Sequence, residues 1–184
     1  MTFLEELKES PIAILGAGAV GKAVGADSVL AGNRVHLYEL PEYAEVSLKN
    51  LEKTGVIIDG KQNNLYGFER RGKVRFDLVT TDIGEAVKGA KLIIVAVPSI
   101  AHDRFFDELV TVLEDGMIVH IIPDNFGSLK LRKKMRELNC DKEVIVGGWT
   151  SAPYGARIVK EGGVLTPRLE LKYRAIPLRG AALP

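Results

Sequence analysis

Three glycines in fixed register are the residues of this 184-residue chain best placed to do chemistry. Gly16, Gly18 and Gly21 spell G-x-G-x-x-G within PIAILGAGAVGKAVGADSVLAGNRVHLYE, residues 11–39. A diphosphate needs main-chain amides that no side chain shields. Gly16 permits a tight turn and Gly18 lets a phosphate approach the backbone. Gly21 lets the next helix lie close against the strand before it. The helix opening at this point aims unpaired N–H groups and the positive end of its dipole at the anion. Ala17, Ala19 and Val20 fill the positions between the glycines without crowding the bend. Glu39 follows Gly21 by 18 residues. That is close to the ~20 expected for the acid that accepts hydrogen bonds from the adenosine ribose.

A glycine pattern alone is weak evidence, and its surroundings decide it. Ile12, Ala13, Ile14 and Leu15 read as a strand buried on both faces. Gly32-Asn33 is a helix stop, and a second strand runs from Arg34 to Tyr38. Strand, turn, helix, strand and acid agree, so the stretch reads as a dinucleotide site. A carboxylate at Glu39 repels a 2′-phosphate, and Leu40, Pro41 and Glu42 bring no basic residue. NAD is therefore expected over NADP.

The elements that must position this site alternate along residues 11–150. Strands are expected over 73–81, 92–97, 117–122 and 143–146. Helices are expected from Pro41 to Gly55, after the capping residue Asp82, from Ser99 to Leu113 and from about Ser128. Such alternation predicts an α/β, Rossmann-type, doubly wound and mostly parallel sheet. Right-handed crossovers place every strand's carboxyl end on one edge, and the cofactor crosses that edge. Val97, Pro98 and Ser99 should line it, with Pro123, Asp124 and Asn125 beside them and residues 148–151 beyond. Residues 1–10 read as a helical or frayed lead-in with Leu4 and Leu7 on one face. Residues 55–72 break the alternation and read as a β-hairpin insert. Arg70 and Arg71 read as solvated charges there, and the basic residues between Lys130 and Arg136 as a solvated helix surface. After Ser151, Leu169, Leu171 and Tyr173 alternate with Glu170, Lys172 and Arg174. This predicts an antiparallel β tail over 151–184, within a single dinucleotide-binding domain spanning 1–184.

Bulk properties narrow the function classes. A net charge of +1 makes no electrostatic case for nucleic acid or an anionic membrane surface. The single cysteine, Cys140, excludes an internal disulfide and a cysteine-based metal site. His36, His102 and His120 show no ligand spacing, so no metal is expected. MTFLEELKES lacks a basic n-region, and no apolar run approaches the ~20 residues of a membrane helix. A cytoplasmic protein is expected.

The GAGAVG turn, the acid closing the second strand, TTD before a short helix, LIIVAVPSIAH, IIPDNFG, and TSAPYGAR with a β tail ending AIPLRGAALP together resemble the opine dehydrogenases, the octopine and nopaline type above all. The turn and the AVP strand end are shared with β-hydroxyacid dehydrogenase relatives, including ketopantoate reductase. The resemblance implies an N-terminal NAD(P)-binding domain. In that family a second, mostly helical domain closes over the cofactor and supplies the catalytic histidine. That domain is absent from this chain, and none of its three histidines matches. The implied reaction is reductive condensation of an amino acid with a 2-oxo acid by hydride transfer. Trp149 stands where a smaller or acidic residue is expected. His102 opens a helix beside Ser99, and Arg157 can hold a carboxylate bidentately. Both are candidate substrate contacts, against the readings of a helix-start residue and a surface charge. NAD binding without turnover is expected of these residues alone. The missing domain, a partner subunit or a second copy of the chain would cover the cleft. The alternatives are a free-standing NAD-binding or regulatory module, and an NADP-dependent oxidoreductase like ketopantoate reductase.

Overall fold

The computed structural model describes residues 2–59, 70–175 and 177–183. In chain order the first half runs α1 (Phe3–Glu9), β1 (Ile12–Leu15), α2 (Ala19–Leu30), β2 (Val35–Tyr38), α3 (Pro41–Ser47), α4 (Leu51–Thr54), β3 (Val56–Asp59), β4 (Gly72–Val74) and β5 (Leu78–Thr80). The second half runs α5 (Ile83–Val87), β6 (Leu92–Val95), α6 (His102–Leu109), β7 (Ile118–Ile121), α7 (Gly127–Glu137), β8 (Ile145–Trp149), β9 (Tyr154–Glu161), β10 (Val164–Arg174) and β11 (Gly180–Ala182).

The apolar run at residues 12–15 becomes β1, central in a seven-stranded sheet of order β11-β8-β7-β6-β1-β2-β5. Ala13, Ile14 and Leu15 are fully buried, as a strand covered on both faces requires. Every pairing from β5 to β8 is parallel, and β11 adds to β8 antiparallel. The order turns back between β1 and β6, a topological switch point of the kind where α/β sheets bind ligands. Leu15, Tyr38, Val95 and Ile121 end their strands in register along one edge. The expected Rossmann-type, mostly parallel fold is therefore the one observed.

The second sheet was legible only in pieces. Its order is β4-β3-β10-β9. β9 and β10 form the antiparallel hairpin that the period-two pattern predicts. β3 and β4 pair antiparallel as the stems of the expected insert, whose residues 60–69 lie outside the described ones. What sequence reasoning missed is that β3 pairs parallel with β10, joining insert and tail into one sheet. Leu169 and Leu171 of β10 enter the core cluster that holds Ile14 and Leu37 of the main sheet and Ala23 of α2. β11 leaves this sheet and joins the main one.

Two expected elements are corrected. The strand expected over 73–81 is two, broken at residues 75–77, because β4 serves the second sheet and β5 the edge of the first. At the break the Asp77 carboxylate accepts the Val35 N–H at 3.1 Å, a bond that a continuous strand would not need. The helix expected from Pro41 to Gly55 splits into α3 and α4, because Asn50 takes a left-handed backbone, φ 60°. The lead-in forms the expected helix, α1, closed by a Thr2–Glu5 capping box, with Leu4 66 % exposed and Leu7 half-buried. Among the described residues, no helix is long and apolar enough to cross a membrane.

Candidate functional site

The bend between β1 and α2 is shaped by its glycines in two opposite ways. Gly16 has φ +101°, and a Cβ there would lie 2.3 Å from the Val97 side chain and 2.9 Å from the Ala96 carbonyl oxygen. A Cβ on Gly21 would lie 1.8 Å from the Gly16 carbonyl oxygen. Both positions exclude side chains because the chain itself already occupies the space. Gly18 is the opposite case: it is exposed, and a Cβ there would meet nothing within 4 Å. Protein packing gives no reason for glycine at that position. Space kept clear over an open bend does. Gly18 is also the N-cap of α2 and supplies no side-chain hydrogen bond, so the first-turn amides are left for an outside acceptor.

Glu39 closes β2 and lies against this bend. One carboxylate oxygen accepts the Ala17 N–H and the other the Leu40 N–H, each at 3.0 Å. The side chain is 6 % exposed. Burial raises its pKa, opposed by those two N–H donors and by the Lys22 ammonium. Ala17 and Leu40 are themselves fully buried, so only their main chains take part. Ala19 and Val20, in the first turn of α2, are half-buried.

Across the switch point, Val97 is buried while Pro98 and Ser99 reach the surface. The Asn125 amide donates to the Ser99 hydroxyl at 3.0 Å, tying the loop after β6 to the loop after β7. Asp124 turns inward and caps α7 through the Ser128 N–H (2.7 Å) and hydroxyl (2.9 Å). The structure thus brings Gly16 to Gly21, Glu39, Val97 to Ser99 and Asn125 to one edge.

It does not bring the two candidate substrate residues there as a pair. His102 is fully buried, stacked on Phe106 at 5.1 Å and roofed by Gly127, whose Cβ would lie 2.7 Å from the imidazole Cε1. Burial pushes its pKa down, and Lys130 adds to that. Arg157 is exposed on β9 of the second sheet, along a shallow groove that also includes Ala19. His36 and His120 lie in strands: the His36 Nδ1 is 2.9 Å from the Ala86 carbonyl oxygen, and the His120 ring meets Trp149 edge-on at 4.6 Å. On α7, Lys130 pairs at the surface with Asp103 (2.9 Å) and Lys134 with Asp107 (2.6 Å). Arg70 likewise meets the Asp27 carboxylate at 2.7 and 3.0 Å.

Sequence reasoning missed Lys22. It is 5 % exposed, one turn inside α2 and within electrostatic reach of Glu39. The available signal was its position: a charge directly after the third glycine, on a helix that must lie flat against the sheet.

Residues 11–124 match the family model described as NAD-dependent glycerol-3-phosphate dehydrogenase N-terminus. An opine dehydrogenase from Arthrobacter sp. (strain 1C) is 30% identical over 159 residues, covering 86% of this chain and 42% of that protein. A structure of octopine dehydrogenase in complex with NADH and agmatine superposes with a TM-score of 0.74 at 21% identity, over 95% of this chain and 42% of that one. A PanE/ApbA family ketopantoate reductase from Ralstonia eutropha JMP134 does so at 0.56 and 20%, over 88% and 46%. The chain spans less than half the length of these relatives.

Proposed function

The chain belongs to the NAD-dependent glycerol-3-phosphate dehydrogenase N-terminal family, and we propose that it is the cofactor-binding part of an opine-type dehydrogenase. The observation that carries the cofactor half is the empty space above Gly18, beside a carboxylate already anchored to the same bend. The opine half rests on the 30% identity to the Arthrobacter enzyme across 86% of the chain.

The residues present fit NAD. The amides of the bend and of the first turn of α2 would hold the diphosphate. Glu39 would accept from the ribose hydroxyls with the lone pairs that Ala17 and Leu40 leave free. Val97, Pro98, Ser99 and Asn125 would flank the nicotinamide, with the Asn125–Ser99 bond fixing the two loops against each other. When bound, NAD supplies hydride transfer, and the protein's part is to position the ring and exclude water. His102 is buried away from the edge, with its ring packed under Gly127. The proton donor and the substrate-binding face of the proposed condensation of amino acid and 2-oxo acid therefore belong to a covering domain or partner chain. The same reading carries a cytoplasmic location, in keeping with the lone free thiol of Cys140.

Calorimetric titration with NADH and NADPH tests the proposal. NADH should bind, NADPH at least tenfold more weakly, and no amino acid and 2-oxo acid mixture should oxidise NADH with these 184 residues alone. Failure of NADH to bind would remove the reading. Preference for NADPH would overturn the role given to Glu39.

A further inference from the structure

A cleft of about 410 Å³ lies between α2, the α3–α4 segment and the turn joining β9 to β10. None of its lining residues belongs to the dinucleotide edge. Lys22 enters from α2, Lys49, Glu45, Ser47 and Asn50 from the α3–α4 side, and Thr166 from β10. Lys22 is only 5 % exposed. Among the described residues it makes no hydrogen bond or ion pair. Its electrostatic partner is Glu39, whose carboxylate oxygens accept from main-chain N–H groups of the bend and not from Lys22. A buried ammonium without a bonded partner is costly, and packing alone would favour an apolar residue here. Burial lowers the Lys22 pKa to about 8, with Glu39 only partly offsetting it, so at neutral pH the side chain is still a cation. The other groups of the cleft leave that charge uncancelled, since Lys49 and Glu45 balance each other. Asn50 and Ser47 add a carboxamide and a hydroxyl as possible donors.

We propose that this cleft binds a small phosphate group, with Lys22 as its buried counter-charge. Lysine suits that task as a point charge needing no bidentate geometry. The inference stands apart from the NAD reading, because it uses none of the residues assigned to the bend. The occupant is a free phosphate ester, since the Glu39 carboxylate beside Lys22 disfavours the 2′-phosphate of a dinucleotide.

Lysine-selective ¹³C NMR on the whole chain, held with saturating NAD so that the bend is filled, reads the site directly. One lysine ε-carbon should titrate near pH 8, and Lys22→Met should remove that signal. Inorganic phosphate at millimolar concentration should raise that midpoint by a unit or more. Lys22→Met should weaken phosphate binding at least tenfold, and Lys22→Arg should restore it. NADP in place of NAD should leave phosphate binding at the cleft unchanged, and its loss with NADP would overturn the assignment to a free ester. A Lys22 midpoint that phosphate leaves unmoved, or a Lys22→Met chain that binds phosphate like the parent, would overturn the proposal. Should NAD fail to bind while Lys22 still responds to phosphate, the dehydrogenase reading falls and the cleft remains.

Discussion

Gly18 and Gly21 look alike in the sequence and differ in kind in the structure. A methyl group on Gly21 would be driven into the Gly16 carbonyl, and backbone on backbone has nowhere to go. Gly21→Ala should therefore destabilise the fold by about 1–3 kcal/mol, the range for overpacking. A methyl on Gly18 meets nothing, and its φ of −72° suits any residue. Gly18→Ala should lower stability by no more than about 1 kcal/mol, the loss expected of a poorer N-cap. It should nevertheless weaken NADH binding tenfold or more by filling the phosphate's place. Urea unfolding and calorimetric titration of the two variants check the contrast. Equal losses of affinity and stability in both would mean that Gly18 is merely structural. The acid at Glu39 was legible because its spacing from the glycines is set by one helix and one strand. Its bond back to Ala17 was not legible, because no local pattern records which way a buried carboxylate turns.

At the scale of elements, α2 is the hinge between the two sheets, and Asp27 is its outer anchor. Its carboxylate accepts the Tyr154 hydroxyl of β9 at 2.7 Å as well as the Arg70 guanidinium. Burial pushes the Asp27 pKa up, but the bonds from Arg70 and Tyr154 outweigh it, and the net shift is downward. A lowered carboxyl pKa stabilises the fold above its unfolded value, and the benefit is lost as pH falls through the folded one. Tyr154→Phe should accordingly lower stability by about 1.5–3 kcal/mol at pH 7, as for a hydrogen bond to a charged group. The deficit should shrink below about pH 4, the unfolded pKa of an aspartate. Urea unfolding at pH 7 and pH 3 reads it, and a pH-independent deficit would assign the effect to packing. Elements whose signal is local, such as β1, α2, β6 and the β9–β10 hairpin, were legible. The union of β3 with β10 was not, because its partners, Ile57 and Arg168, are more than a hundred positions apart and each strand alone reads as half of a hairpin. The break at Asn50 was hidden as well, since LKNLEKTG keeps helical spacing through the left-handed residue.

For the whole molecule, the shared core decides whether the second sheet is an appendage or a structural member. Leu171, 2 % exposed on β10, lies in one apolar cluster with Ile14, Leu37 and Ala23, so the tail and the central strand bury each other across α2. Removing part of that contact should be felt at the far side of the main sheet. Leu171→Ala should cost about 2–5 kcal/mol, as large-to-small substitutions in packed cores do. Trp149 is the chain's one tryptophan, held on β8 of the main sheet against His120 and at the margin of the shared cluster. Far-ultraviolet circular dichroism reports both sheets. If the core is continuous, Trp149 fluorescence and dichroism should fall together in urea, in the parent and in the variant alike, with both midpoints lowered by the same amount. A variant in which dichroism falls first while Trp149 holds would show that the tail unfolds by itself. The glycine bend would then owe nothing to the strands that pack against α2. Coincident transitions would instead make the geometry at Gly18 depend on β10, so that distant substitutions in the tail reach the dinucleotide edge through stability alone.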